Sequence, residues 1–231
     1  ESANLNTMTT TPLGHGGKFR PRREGFDDQR RIGGMTLRAG VLAVQGDVSE
    51  HARAIERAAT AHDRTADVVE IHEAGLVPDC DALLMPGGES TTISRLLHRE
   101  GIAGEIERHV ADGKPVLATC AGLIVAASDA HDDRVETLNV LDATVERNAF
   151  GRQKDSFEAP LEVTGFDEPF PAVFIRAPLI DYVGSGVEVL ASWDDRPVAV
   201  RDGPVVGTSF HPELTDDPRI HDLAFFDSVE S

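Results

Sequence analysis

Two residue types in this chain could supply nucleophilic chemistry with its base: two cysteines and nine histidines. One of each stands in a setting that suits catalysis. Residues 114 to 122 read KPVLATCAG, an apolar run leading straight into Thr119-Cys120-Ala121-Gly122 and then into helix-forming LIVAA. A thiol on a sharp strand-to-helix turn is held out at the carboxyl end of a sheet. It lies beside a helix N-terminus whose partial positive charge favours the thiolate, and small neighbours let strand and helix close together. Taken alone, a cysteine in an apolar run is more often an inert core residue. Cys80, in VPDCDALL, has only that second setting.

A thiol nucleophile needs a base, and the base needs an orienting acceptor. Residues 207 to 214, GTSFHPEL, offer both. A strand ending at Phe210 would bring His211 to the sheet edge that carries Cys120. Pro212 stiffens the turn, and Glu213 can reach one imidazole nitrogen while the other faces the thiol. The other eight histidines lack such a context and read as solvated or packing residues. A third segment, MPGGESTT (residues 85 to 92), has two glycines that can expose backbone N–H groups and Ser and Thr residues able to cap a following helix. It suits an oxyanion-stabilising loop, or equally a tight turn with a cap. It lacks the Gly-Lys-Ser/Thr of a phosphate-binding loop.

The elements that must position these residues alternate in type. Short apolar runs at 39–45, 67–71, 82–85 and 116–119 suit buried strands. Helical spacing follows at Ala52, Ile55 and Ala59, with Ser49 as the expected N-cap, and again over 92–98 and 102–110. Strands alternating with helices predict an α/β fold with a parallel sheet covered on both faces. After about Leu138 the texture changes to short β-like runs, including 187–191, 198–201 and 205–210, before a last helix near 218–229. The second half should therefore be more antiparallel.

Composition narrows the class. With 231 residues and 40% apolar content the chain can build one core without disulfides, and two cysteines are too few for a disulfide framework or a zinc site. No run of 18 or more apolar residues exists and no signal-peptide order is visible, so neither membrane insertion nor secretion is indicated and the cytoplasm is the expected compartment. Forty acidic residues face 22 Lys plus Arg, a net charge of −18, which makes nucleic acid an unsuitable partner. Only three lysines occur, at 18, 114 and 154, and the acidic groups are scattered rather than gathered in a tail. That composition resembles proteins of salt-loving archaea, where a Debye length of about 3 Å at 1 M salt screens self-repulsion. Residues 1 to 34 are different. They carry six basic and four acidic residues, net +2, so that residues 35 to 231 carry −20 of the total of −18. Without apolar periodicity, 1–34 reads as a disordered N-terminal extension ahead of a domain spanning 35–231, with Met35 a candidate natural start.

The three chemical segments, in this order, resemble the class I (triad) glutamine amidotransferases, whose fold is flavodoxin-like. Five segments narrow the resemblance to the glutaminase subunits of pyridoxal phosphate synthase: LAVQGDVSEH (42–51), LLMPGGESTTISRLL (83–97), VERNAFGRQKDSFE (145–158), FIRAP (174–178) and SFHPELTDD (209–217). Together they span essentially Met35 to Ser231. One departure stands out: many relatives have Gly two residues before the nucleophile, where this chain has Ala118.

The resemblance implies a triad of Cys120, His211 and Glu213. It implies that glutamine is held by Gly88, Glu89 and Ser90, by Arg147 in VERN, and by Ile175 and Arg176 in FIRAP. The oxyanion would fall to backbone N–H groups of Gly88 and Ala121. An arginine suits the carboxylate of a zwitterionic substrate by planar, bidentate recognition. L-glutamine would become L-glutamate and ammonia through a cysteine thioester. The ammonia would pass to a pyridoxal phosphate synthase subunit with a TIM-barrel fold in a hetero-oligomer. No metal and no cofactor are implied on this chain, pyridoxal phosphate being made on the partner. The alternatives are a triad glutaminase serving histidine, tryptophan or purine synthesis, which should lack VERNAFGRQ and FIRAP, and a regulatory module that keeps the fold without turnover.

Overall fold

The computed structural model describes residues 36–45, 48–147 and 156–226. Residues 1–34, and parts of the Gln45–Glu50 turn and of the VERNAFGRQKDSFE segment, lie outside them. The chain forms β1 (Thr36–Leu42), α1 (Val48–Ala61), β2 (Thr65–Ile71), β3 (Ala82–Met85), α2 (Ser90–Arg99), α3 (Ala103–Ala111), β4 (Val116–Thr119) and α4 (Ala121–Ala126). There follow β5 (Ala127–Asp129), β6 (Leu141–Glu146), β7 (Ser156–Leu161), β8 (Phe170–Ile175), β9 (Leu179–Val183), β10 (Glu188–Trp193), β11 (Arg196–Asp202), β12 (Val205–Thr208) and α5 (Arg219–Phe225).

The seven-stranded central sheet has the order β10-β11-β12-β4-β3-β1-β2. β12, β4, β3, β1 and β2 are mutually parallel, while β10 and β11 run antiparallel at one end. Its central strands read as unbroken apolar runs because both faces are covered. In β3, Ala82 and Leu84 point into one core with Phe174, Phe210 and the α5 residues Ile220 and Leu223. Leu83 and Met85 point into the other, with Leu97 of α2, Ile106 of α3 and Leu123 of α4. A small sheet β5-β6-β9 and the hairpin β7-β8 complete the second half. On the hairpin, stacked Phe157 and Phe174, with ring centroids 4.7 Å apart, anchor β7 and β8 onto the main core.

The predicted elements of the first half appear within a few residues of their expected bounds, and the second half is antiparallel in character, as its texture predicts. Three local expectations need correction. The helix expected to start behind Ser49 already includes Val48, so Ser49 lies in its first turn. The terminal helix is described as Arg219–Phe225, starting one residue after the expected 218, and residues 227–229 of its expected span lie outside the described residues. The cap of α2 is not a hydroxyl: Glu89 is the N-cap, and its carboxylate accepts from the N–H groups of Thr91 and Thr92. A carboxylate offers two acceptors and a negative charge to the positive helix end, which a serine cannot match. No described helix is long and apolar enough to cross a membrane.

Candidate active site

Cys120 stands where β4 gives way to α4. Its φ of 50° and ψ of −106° lie where L-residues are rarely found, a strain of roughly 1–3 kcal/mol that neighbouring contacts must hold in place. Its N–H donates to the Thr208 carbonyl at 2.8 Å, and its own carbonyl accepts from Ile124 at 3.3 Å. Gly122 allows the turn to close, since a Cβ there would lie 2.1 Å from the Met85 carbonyl oxygen. Ala118, the departure noted above, is fully buried in the core, where its methyl group is accommodated.

His211 follows β12 and opens the tight turn Pro212–Leu214, its N–H fixed on the Val173 carbonyl of β8 at 2.8 Å. The turn brings Glu213 back under the ring, with His211 Nδ1 at 2.7 Å from Glu213 Oε1. Cys120 lies on the other side of the imidazole, close enough for its charge to favour the protonated ring. Burial alone would push His211 down, but the hydrogen bonds and charges of Cys120 and Glu213 outweigh it and hold the ring up at about 10. Burial likewise works against the Glu213 carboxylate, yet His51 and His211 keep it well below the usual carboxylate range. The arrangement suits a thiolate–imidazolium pair with an ionised orienting carboxylate.

A cavity of about 590 Å³ opens over Cys120, and every site residue singled out from the sequence lines it. Gly88, Glu89 and Ser90 come from the turn into α2. Ala121 starts α4, Arg147 follows β6, Ile175 ends β8 and Arg176 follows it. Gly87 presses against the imidazole: a Cβ at this position would lie 2.7 Å from His211 Cε1. Gly88, with φ at 147°, adopts backbone geometry that side chains disfavour, and Glu89 N–H donates to Gln45 Oε1 at 2.9 Å. The Ile175 carbonyl faces the nucleophile, 3.9 Å from Cys120 Sγ. Arg147 reaches across the mouth, its Nη2 3.1 Å from Glu89 Oε1 and its Nη1 paired with Asp132. Hydrogen bonds from Thr91, and further ones from Thr92, lower the Glu89 carboxyl to about 2, so the rim carries fixed charges of both signs.

Three residues of this environment carry no site role in the sequence reading. Gln45 lines the cavity and anchors the Glu89 peptide. Asp132 holds both Arg147 and Arg134. His51, grouped by its sequence context with solvated or packing histidines, is fully buried 3.4 Å from Glu213 Oε1. On α1 the buried stripe is His51, Ala54, Ile55, Ala58 and Ala59, and the histidine is its sole polar member.

The model of the SNO glutamine amidotransferase family matches residues 41–231. The chain is 85% identical over 197 residues to the pyridoxal 5'-phosphate synthase subunit PdxT of Haloarcula marismortui, an alignment covering 85% of this chain and all of that protein. To PdxT of Halobacterium salinarum it is 74% identical over 197 residues, or 85% of this chain and 97% of the relative. A crystal structure of a glutamine amidotransferase superposes with a TM-score of 0.73 at 46% identity, covering 80% of this chain and 96% of that one. The chain belongs to the SNO glutamine amidotransferase family.

Proposed function

We propose that this chain is the glutaminase subunit of a pyridoxal phosphate synthase, hydrolysing L-glutamine and delivering ammonia to its synthase partner for vitamin B6 biosynthesis. The observation that supports it most strongly is the convergence of Cys120 and a hydrogen-bonded His211–Glu213 pair on one cavity with a charged rim.

In this reading the Cys120 thiolate attacks the side-chain amide carbon of glutamine. Backbone N–H groups of Gly88 and Ala121 hold the oxyanion, and His211, already protonated, gives its proton to the departing ammonia. Water deprotonated by the same ring then attacks the thioester, the sulfur leaves as thiolate, and glutamate is released. Glu213 stays ionised and keeps Nδ1–H turned toward itself. Arg147 and Arg176 offer cations for the substrate carboxylate, while Glu89, Ser90 and the Ile175 backbone offer polar contacts for its ammonium end.

The partner is taken to be a TIM-barrel subunit that builds pyridoxal phosphate, so the vitamer is a product made elsewhere and not a cofactor here. Docking near the carboxyl ends of the parallel strands would bring it to where ammonia emerges. The Gly87–Gly88 peptide is free enough in φ to rest with its N–H away from the site until docking selects the productive orientation. Since one oxyanion donor is worth roughly a hundred- to a thousandfold in rate, turning this single peptide gates the enzyme. Release of glutamate measured with and without the synthase subunit is the test: kcat should rise at least a hundredfold on docking, and equal values would reject gating.

A further inference from the structure

We propose that His51 is a positioning residue of the glutaminase reaction, its Nε2 edge fixing Glu213 and through it His211. The proposal rests on the triad assignment above. His51 and Glu213 are both almost wholly removed from solvent, and His51 Nε2 lies 3.4 Å from Glu213 Oε1, the same oxygen that takes the 2.7 Å contact from His211 Nδ1. The same Nε2 is 3.3 Å from Thr119 Oγ1. Thr119 is the residue before the nucleophile, so one imidazole edge, supplied by α1, spans the strand that carries Cys120 and the turn that carries Glu213.

The proton can be placed from the surroundings. Among the described residues His51 Nδ1 has no hydrogen-bond partner, whereas Nε2 faces an ionised carboxylate, so the tautomer that fits carries its hydrogen on Nε2. Glu213 depends on it, because its other oxygen, Oε2, is buried without a partner among the described residues and both imidazoles converge on Oε1. Neighbouring groups do not replace His51. Arg57 spends its Nη2 on the Thr215 carbonyl at 2.8 Å. Burial keeps His221 down at about 3, so that ring brings no charge, and neither of its nitrogens has a partner among the described residues. A carboxylate held by one donor alone could swing about its side-chain torsions. A second polar contact from a different element defines the rotamer that aims His211 at Cys120.

The test is steady-state glutamine hydrolysis in the complete complex with the synthase subunit. His51→Leu should lower kcat roughly ten- to a hundredfold, the scale on which slight misplacement of a catalytic group costs rate, with KM for glutamine changed less than about twofold. His51→Gln, whose amide N–H can reach the Nε2 position, should restore most of the rate, and His51→Asn, whose shorter amide cannot, should not. The Gln and Asn pair also decides the matter if the Leu variant fails to fold. Wild-type kcat in His51→Leu, or equal losses in the Gln and Asn variants, would overturn the proposal. A parallel Cys120→Ala variant separates the two claims, since activity there would overturn the triad itself.

Discussion

Around Cys80, burial strips titratable groups of charge. Desolvation pushes the thiol up, with Arg38 and Lys114 only partly offsetting it, and the neighbouring His109 is held down at about 4 by burial. Around Cys120 the opposite holds. The groups there are also largely buried, yet His211 is held up at about 10 and Glu213 well below its ordinary range. The difference lies in what converges. His109 Nε2 has a lone carbonyl, that of Pro115, at 3.3 Å, whereas Glu213 Oε1 meets two imidazole nitrogens and His211 meets both a carboxylate and a thiol. Low dielectric removes an isolated charge and strengthens a paired one. Charge in an interior therefore marks chemistry better than burial or residue type does.

Exchanging the thiols is the sharpest way to break this contrast. Cys120→Ala should lower glutaminase turnover in the complex by about a millionfold, the scale seen when a triad nucleophile is lost. Cys80→Ala should leave turnover intact and cost about 1 kcal/mol of stability as a small core deletion. Glutamate release and thermal melting of both variants check this.

Next in size, Arg147→Ala should raise KM for glutamine roughly ten- to a hundredfold with a smaller effect on kcat, as removal of one charge-assisted carboxylate contact worth about 1.5–3 kcal/mol would. Lysine should restore it only in part, because the planar fork is lost. An unchanged KM would remove Arg147 from the substrate site.

Much of this was legible in the residues. KPVLATCAG and GTSFHPEL gave strand ends with a thiol, a base and an acceptor, and parallel pairing of β4 with β12 brings the two ends together without further information. The short strands β5 to β9 were less legible, because β5 has only three residues and β7 and β8 each contain a proline, which reads against a strand. Glu89 as the cap of α2 was hidden because a carboxylate and the neighbouring hydroxyls compete for the same role, and only geometry decides. His51 escaped because a lone histidine on an apolar helix face gives no hint of the carboxylate it meets from a turn more than 150 residues later.

Salt separates surface charge from buried charge. The melting temperature should climb by several degrees as potassium chloride rises from about 0.1 M to the molar range, since screening relieves repulsion among scattered acidic groups. The buried His211–Glu213 pair should be insensitive to the same screening. A melting temperature independent of salt would remove the halophilic interpretation.

The smallest expected effect concerns pH. The His109 imidazole is depressed in the folded protein, so its contribution to stability is complete above its unfolded value of about 6.5 and is lost as pH falls toward about 4. His211 has the opposite sign: its contribution is complete below about 6.5 and is lost as pH rises through about 10. His109→Gln should thus reduce the fall in melting temperature between pH 7 and pH 5 by roughly 2–4 °C, with no change on the alkaline side. A steeper acid limb in the variant would contradict the assignment.

The most direct measurement offers the complex a glutamine analogue bearing a γ-diazoketone in place of the amide, followed by mass analysis of the two cysteine-bearing peptides. Only a thiolate beside a glutamine-shaped cavity should be alkylated. The account predicts one adduct, on the peptide carrying Cys120, formed in step with loss of glutaminase activity and slowed by excess glutamine. An adduct on Cys80, or full loss of activity with Cys120 unmodified, would contradict it.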